Sequence, residues 1–264
     1  MQQTNRACPR LNRCGLARFL TLLLLLCTFL FLSPSKVYAA SRYWVGSAGG
    51  NTNDTANWSA AQNSCGVATG ASVPSTTDTA FFTSSCTNGA TVNAAFTPQG
   101  INIQAGYIGT IAQAAGVSIS IGTANYTQSD GTFTGSAAAI TITGGSFSLS
   151  TGIFTSTSGT LSISGSLTIT SGTFNANGGT LTFNSTGTST LACNSAVFNA
   201  VNISKTSSAN LVVGSACTLP LAGTNPSSTA DISNSGTINV TGTWSLTGNY
   251  TSNSGGALIM SGTS

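Results

Sequence analysis

Few residues in this 264-residue chain have types and spacing suited to chemistry. The carboxylates are Asp54, Asp78, Asp130 and Asp231, and there is no Glu and no His. Glycoside hydrolysis uses two carboxyl groups about 5–9.5 Å apart. Asp54 and Asp78, 24 positions apart, would suit that chemistry if they lay on adjacent turns of a repeating chain. Asp78, however, follows Pro74-Ser75-Thr76-Thr77, and Asp130 stands in Ser129-Asp130-Gly131. In such turns an Asp side chain bonds nearby backbone. Without His, no Ser or Cys has a general base of the usual kind. A lyase would also need a Lys or Arg base or a calcium-binding carboxylate cluster, and Arg42 and Lys205 have no such company in the sequence. No catalytic, cofactor-binding or metal-ligating residue is assigned, no cofactor is expected, and the chain is not expected to be an enzyme. The chemistry that remains is that of Cys65, Cys86, Cys193 and Cys217, which give three possible disulfide connectivities.

The elements that would position these residues form a repeat. Gly131-Thr132-Phe133, Gly152-Ile153-Phe154 and Gly172-Thr173-Phe174 follow at intervals of 21 and 20 residues. Ile140-Thr141-Ile142, Leu161-Ser162-Ile163 and Leu181-Thr182-Phe183 keep the same intervals, and Phe147-Ser148-Leu149 returns 20 residues later as Leu167-Thr168-Ile169. Apolar and small polar residues alternate with period two, so aliphatics occupy one face of each strand and Ser/Thr the other. A period of this length, built of short strands and Gly/Ser/Thr turns, predicts an all-β solenoid with coils of about 20 residues. Each coil is expected to carry at least two strands, with a third near the Gly-x-Phe phrase. Gly159–Gly165 also recurs as Gly236–Gly242 at a shift of 77, which sets Trp244 where Leu167 stands and reads it as core.

Stacked coils decide the cysteine pairing. Neighbouring strands lie about 4.8 Å apart, within the Cα range a disulfide accepts. The intervals of 21 and 24 residues are each about one coil, so Cys65–Cys86 and Cys193–Cys217 are the predicted bonds. Four buried free thiols are the alternative.

The chain divides into residues 1–39, 40–100 and 101–264. In the first, Arg6, Arg10, Arg13 and Arg18 precede an apolar run from Phe19 to Leu32, and Val37-Tyr38-Ala39 supplies small residues for cleavage after Ala39 or Ala40. This pattern reads as a secretory signal peptide. Its 14-residue apolar run falls short of the about 20 residues a membrane span requires. An export route favours disulfides. The second segment reads as a capping β module, with Trp44, Trp58, Phe81 and Phe82 to plug the open end of the stack. The third holds the regular coils, and its last residues read as coil interior, as in a fragment of a longer repeat protein.

Removing the leader leaves Arg42 and Lys205 against four Asp, a balance of −2. A nucleic-acid partner needs a basic stripe, which is absent. No membrane span is expected in the mature part, and oligomeric state stays open.

Tyr43-Trp44-Val45-Gly46, Asn57-Trp58-Ser59, Val73-Pro74, Asp78 and Phe81 resemble the start of large secreted bacterial surface proteins of the adhesin-like or autotransporter-like kind. Gly179-Thr180-Leu181-Thr182-Phe183-Asn184, followed by Phe198-Asn199-Ala200-Val201-Asn202-Ile203, is similar to their repeats. The resemblance implies a right-handed parallel β-helix at a bacterial surface and transfers no catalytic residue. The expected role is therefore structural or adhesive, with a glycan or cell-surface ligand and with Trp58 and Tyr126 as candidate glycan contacts. A carbohydrate-active β-helix enzyme is the alternative. A second is an ice or crystal-surface binder using a ladder of Thr141, Ser162 and Thr182.

Overall fold

The computed structural model describes residues 39–206, 210–222 and 229–261. The signal peptide read at 1–39 falls, except for Ala39, outside them. From Ala39 onward the chain forms one unit of stacked parallel coils.

The longest sheet has 11 strands. From its N-terminal end they run Trp58–Ser59, Ala40–Trp44, Asp78–Phe82, Gly100–Ile103, Tyr126–Gln128, Phe147–Leu149, Leu167–Ile169, Ser189–Ala192, Leu211–Val213, Ile232–Asn234 and Tyr250–Ser252. All neighbours pair in parallel except Trp58–Ser59, which lies antiparallel on Ala40–Trp44. A second face stacks Gly50–Asn51, Ala90–Val92, Thr110–Gln113, Thr132–Thr134, Ile153–Thr155 and Thr173–Asn175. A third stacks Ile119–Ile121, Ile140–Ile142, Thr160–Ile163, Thr180–Phe183 and Ala200–Ile203. Beside its last strand a three-stranded sheet begins, of Thr218–Leu221, Thr237–Val240 and Ala257–Met260. The coils from Tyr126 to Phe183 thus have three strands each, while among the described residues after Asn175 no strand joins the second face.

The register produces the expected columns. Phe133 pairs with Phe154 and Phe154 with Phe174, with ring centroids 5.0 and 5.6 Å apart in stacked geometry. Phe198 closes that column edge-on at 5.4 Å. Ile140, Leu161, Leu181 and Val201 form a second buried file, and Ile142, Ile163, Phe183 and Ile203 a third. Offset stacks and edge-to-face contacts of this kind add about 0.5–1.5 kcal/mol per pair beyond area burial. Glycine opens the phrase for a backbone reason at Gly152. Its φ is +79°, and a Cβ there would stand 2.6 Å from the Gly131 carbonyl oxygen of the coil below. Only a residue without a Cβ meets both demands cheaply.

Aromatic side chains pack against one another among the first strands of the stack. Trp58 lies edge-on to Trp44 and Phe82 and stacks on Phe96, and Phe82 meets Tyr107. The indole N–H groups are satisfied, Trp58 Nε1 donating to Thr52 O at 2.8 Å and Trp44 Nε1 to Asn88 O at 3.0 Å. Phe81 departs from the expectation: strand alternation turns Ala80 and Phe82 inward and leaves Phe81 half-buried outside, stacked on Tyr43 at 5.1 Å. Trp244 sits half-buried against the core.

Candidate functional site

Both predicted disulfides are present. Cys65–Cys86 and Cys193–Cys217 join positions with Cα atoms 4.7 and 5.0 Å apart. Each bond ties one coil to the next, as stacking requires. Such bonds persist in oxidising, extracytoplasmic surroundings.

The two proposed glycan-stacking rings are not on the surface. Trp58 is 0 % and Tyr126 2 % exposed. Tyr126 occupies the inward file of the long sheet between Ile101 and Phe147, and its ring stacks on Phe147 at 5.0 Å. Its hydroxyl donates to Gln128 Oε1 at 2.7 Å, and burial raises its pKa. Neither ring offers a face to a sugar, so both assignments are corrected to core packing.

The carboxylates bind backbone amides. Asp54 Oδ1 accepts from Ala56 N–H at the start of a one-turn 3₁₀ segment. Asp78 accepts from Ser75 and lies 3.6 Å from the Arg42 guanidinium. Asp130 takes the N–H groups of Gly106 and Gly131, and Asp231 that of Asn249. Asp54, Asp78 and Asp130 accept within their own turns, while Asp130 and Asp231 also reach backbone of a neighbouring coil.

Outward side chains form long neutral files. On the third face Ser120, Thr141, Ser162, Thr182 and Asn202 are in register, and on the long sheet Asn102, Thr127, Ser148 and Thr168. These faces show one outward residue between two inward ones. The second face inverts that pattern. In Thr132–Thr134, Ile153–Thr155 and Thr173–Asn175 the central Phe points in and both flanking residues point out. Two parallel files result, Thr110-Thr132-Ile153-Thr173 and Thr91-Ala112-Thr134-Thr155-Asn175. Rungs 4.7–4.9 Å apart and alternate residues about 6.6 Å apart make this a regular two-column grid. The triplets Thr-Phe-Thr, Ile-Phe-Thr and Thr-Phe-Asn carried that signal in the sequence.

One cluster escaped sequence reasoning. Lys205 is fully buried, and its Nζ lies 2.5 Å from Ser185 Oγ, 3.0 Å from Ser189 Oγ and 2.7 Å from Gly187 O. Desolvation lowers the lysine pKa to about 8. Ser185 also lines a surface groove of about 570 Å³ with Ser146, Ser164, Ser166, Asn184 and Thr188. The signal was parity: Val201 and Ile203 face inward, so the next alternate residue, Lys205, follows them in. Among the described residues no group of three or more His, Cys, Asp or Glu could hold a metal ion. No helix among them is long and apolar enough to cross a membrane.

Comparison of the chain with protein-family models, with curated proteins and with solved structures finds no match to any of them.

Proposed function

We propose that this chain is an exported, adhesin-like β-solenoid of a cell surface, acting as a stiff display element whose outward files hold a neutral glycan or cell-surface ligand. The observation that carries this reading is the two-column second face, where uncharged Thr and Asn side chains repeat at coil spacing. Weak contacts repeated on a rigid support gain from effective concentration without any single strong site. The surface chemistry selects the ligand class. Arg42 is paired with Asp78, Lys205 is buried, and the files themselves hold no charged residue, so long-range steering of acidic or basic partners has little to work with. Covalent ties between coils suit an extracellular setting, and the basic and apolar leader suits Sec-type export from a bacterial cell. The display role requires no catalytic group.

The same grid supports a second reading, recognition of an ordered crystal surface such as ice. Ala112 and Ile153 interrupt its hydroxyls, which favours the glycan reading.

A glycan array and a pull-down on insoluble neutral polysaccharides test the proposal. Binding that survives 0.5 M salt and falls at least tenfold in a Thr134→Lys/Thr155→Lys double variant is expected. Retention independent of those residues, or on charged glycans only, would overturn it. Thermal hysteresis without glycan binding would select the crystal-surface reading.

A further inference from the structure

We propose that Tyr43 and Phe81 form an aromatic shelf on the outer side of the long sheet, where the pyranose ring of a neutral glycan stacks. This deepens the glycan reading and rests on it for the ligand's class. It assigns a separate stacking subsite, on a different face from the two-column grid.

Strand parity puts the two rings outside. In Ala40–Trp44 the last residue turns in, so Tyr43 turns out; in Asp78–Phe82, Ala80 and Phe82 turn in and Phe81 turns out. Tyr43 and Phe81 are partners across the parallel ladder, and their rings stack with centroids 5.1 Å and planes 25° apart. Both are half-buried, unlike Trp44, Trp58 and Phe82, which are enclosed. The file continues from Phe81 through Asn102, Thr127, Ser148 and Thr168, all amide or hydroxyl side chains. The pair is thus an aromatic step at the head of a polar, uncharged file.

Its two sides differ. Next to Tyr43 stands Ser59, which is 0 % exposed, its Oγ 2.9 Å from Thr69 Oγ1 and 3.0 Å from Asn63 Nδ2. The segment after Ser59 therefore closes the Tyr43 side. Next to Phe81 stands Asn102, whose side chain reaches less far from the sheet than a phenyl ring, so the outer margin of Phe81 faces along the polar file.

A pyranose fits that juxtaposition. An all-equatorial ring carries axial C–H bonds on its faces and hydroxyls around its rim. The slightly positive C–H hydrogens meet the negative face of an aromatic ring, while rim hydroxyls meet the amide of Asn102 and the hydroxyl of Thr127. A few placed polar groups beside an apolar surface fix a ligand's orientation. An acidic ligand finds less to hold it. Arg42, the neighbouring cation, lies 3.6 Å from the Asp78 carboxylate and donates to Ser72 Oγ at 3.2 Å. Cross-strand packing alone would account for the contact between the two rings, so the test needs a readout that packing does not move.

Saturation-transfer NMR of the full chain with cellotetraose supplies it. Saturation of the aromatic protons should reach the sugar's ring C–H protons. It should fall about fivefold or more in Tyr43→Leu/Phe81→Leu, which keeps apolar bulk on both strands but removes the rings. Phe81→Tyr should retain it. Near-ultraviolet circular dichroism from Trp44 and Trp58 reports whether the double variant keeps its fold; if it does not, Phe81→Leu alone decides. Transfer that persists in the leucine variant, or that falls only in Thr134→Lys/Thr155→Lys, overturns the shelf and leaves the glycan reading standing. Absence of transfer while insoluble polysaccharide is still retained does the same. Loss of both transfer and retention on wild type overturns the glycan reading, and the shelf with it.

Discussion

The coils from Tyr126 to Phe183 and those from Ser189 onward solve one problem in two ways. In the first group three strands per turn satisfy the backbone, and the interior is filled by a continuous aromatic stack around Phe133, Phe154 and Phe174. Inward polar side chains serve carbonyls in both groups, Gln128 Nε2 donating to Asp130 O, Gly131 O and Ile153 O in the first, but in the second no described strand joins the second face. Lys205 Nζ serves Gly187 O, and Asn234 Nδ2 serves Ala257 O at 3.0 Å. Backbone carbonyls need partners, and inward side chains supply some of them whether or not a third ladder is present. A disulfide, Cys193–Cys217, ties the coils where the stack thins. What sets the second group apart is the third ladder, missing among the described residues, and the covalent tie between its coils.

The sharpest way to break this contrast is Phe154→Ala. The ring lies 4.8 to 5.6 Å from Phe133, Phe147, Phe174 and Tyr126, so its loss leaves a cavity flanked by rings that cannot collapse. A loss of about 3–5 kcal/mol in urea unfolding is expected. Thr190→Val, on an outward position of the later coils, should change stability by under about 0.5 kcal/mol. Equal effects would show that the aromatic column is not what distinguishes the middle coils.

Removing the Cys193–Cys217 bond comes next. The separation of 24 residues predicts a loss of about 3 kcal/mol on replacing both cysteines by Ala, from the loop closure the bond imposes on the unfolded chain. Hydrogen exchange should place the opening between Ser189 and Val213 and leave Ile140–Phe183 protected. Uniform loss of protection would mean that the two groups of coils unfold as one.

Lys205 sharpens the comparison through pH. Its folded pKa of about 8 lies below the ordinary value of 10.5, so between these values the unfolded state holds more protons. Stability contributed here is diminished below about pH 8 and recovers as pH rises toward 10, with a slope of at most about 1.4 kcal/mol per pH unit. The buried tyrosines act oppositely. Burial raises the pKa of Tyr107 and Tyr126, so their contribution is present below pH 10 and is lost above it. Urea titrations of wild type should therefore rise and then fall across pH 8–11. Lys205→Met should lose the rising limb only.

How far the sequence told this in advance follows from what period and parity can see. The Phe, Ile and Leu columns were legible because each strand alternates and each coil returns after 20 or 21 residues. The disulfides were legible for the same reason, since both intervals are about one coil. Orientation inside the entry segment was not. Phe81 and Phe82 are equally apolar, and only pairing with Tyr43 and Gly100–Ile103 decides which faces out. Trp58 and Tyr126 were assigned by residue type, whereas the Tyr126-Thr127-Gln128 alternation already set the tyrosine inside. The Lys205 cluster spans 20 residues of chain, and Ser185 and Ser189 are unremarkable in so serine-rich a sequence. Its existence depends on the path of a turn, which composition does not encode.

The smallest effect concerns the second face. Thr134→Val and Thr155→Val replace outward β-branched residues by isosteres on neighbouring rungs. Their hydroxyls are solvated in the unfolded chain and stand on the outer side in the folded one, so stability should move by under about 0.5 kcal/mol for each. Thr141→Val, on the third face, should be equally mild in stability, and the two faces should part only in ligand retention. A grid binds through several rungs at once, so one lost hydroxyl lowers retention a little and two on adjacent rungs lower it more than the sum of the singles. Isothermal unfolding beside polysaccharide retention for all three variants resolves this. Equal retention losses on the two faces would remove the distinction between a paired grid and a single file.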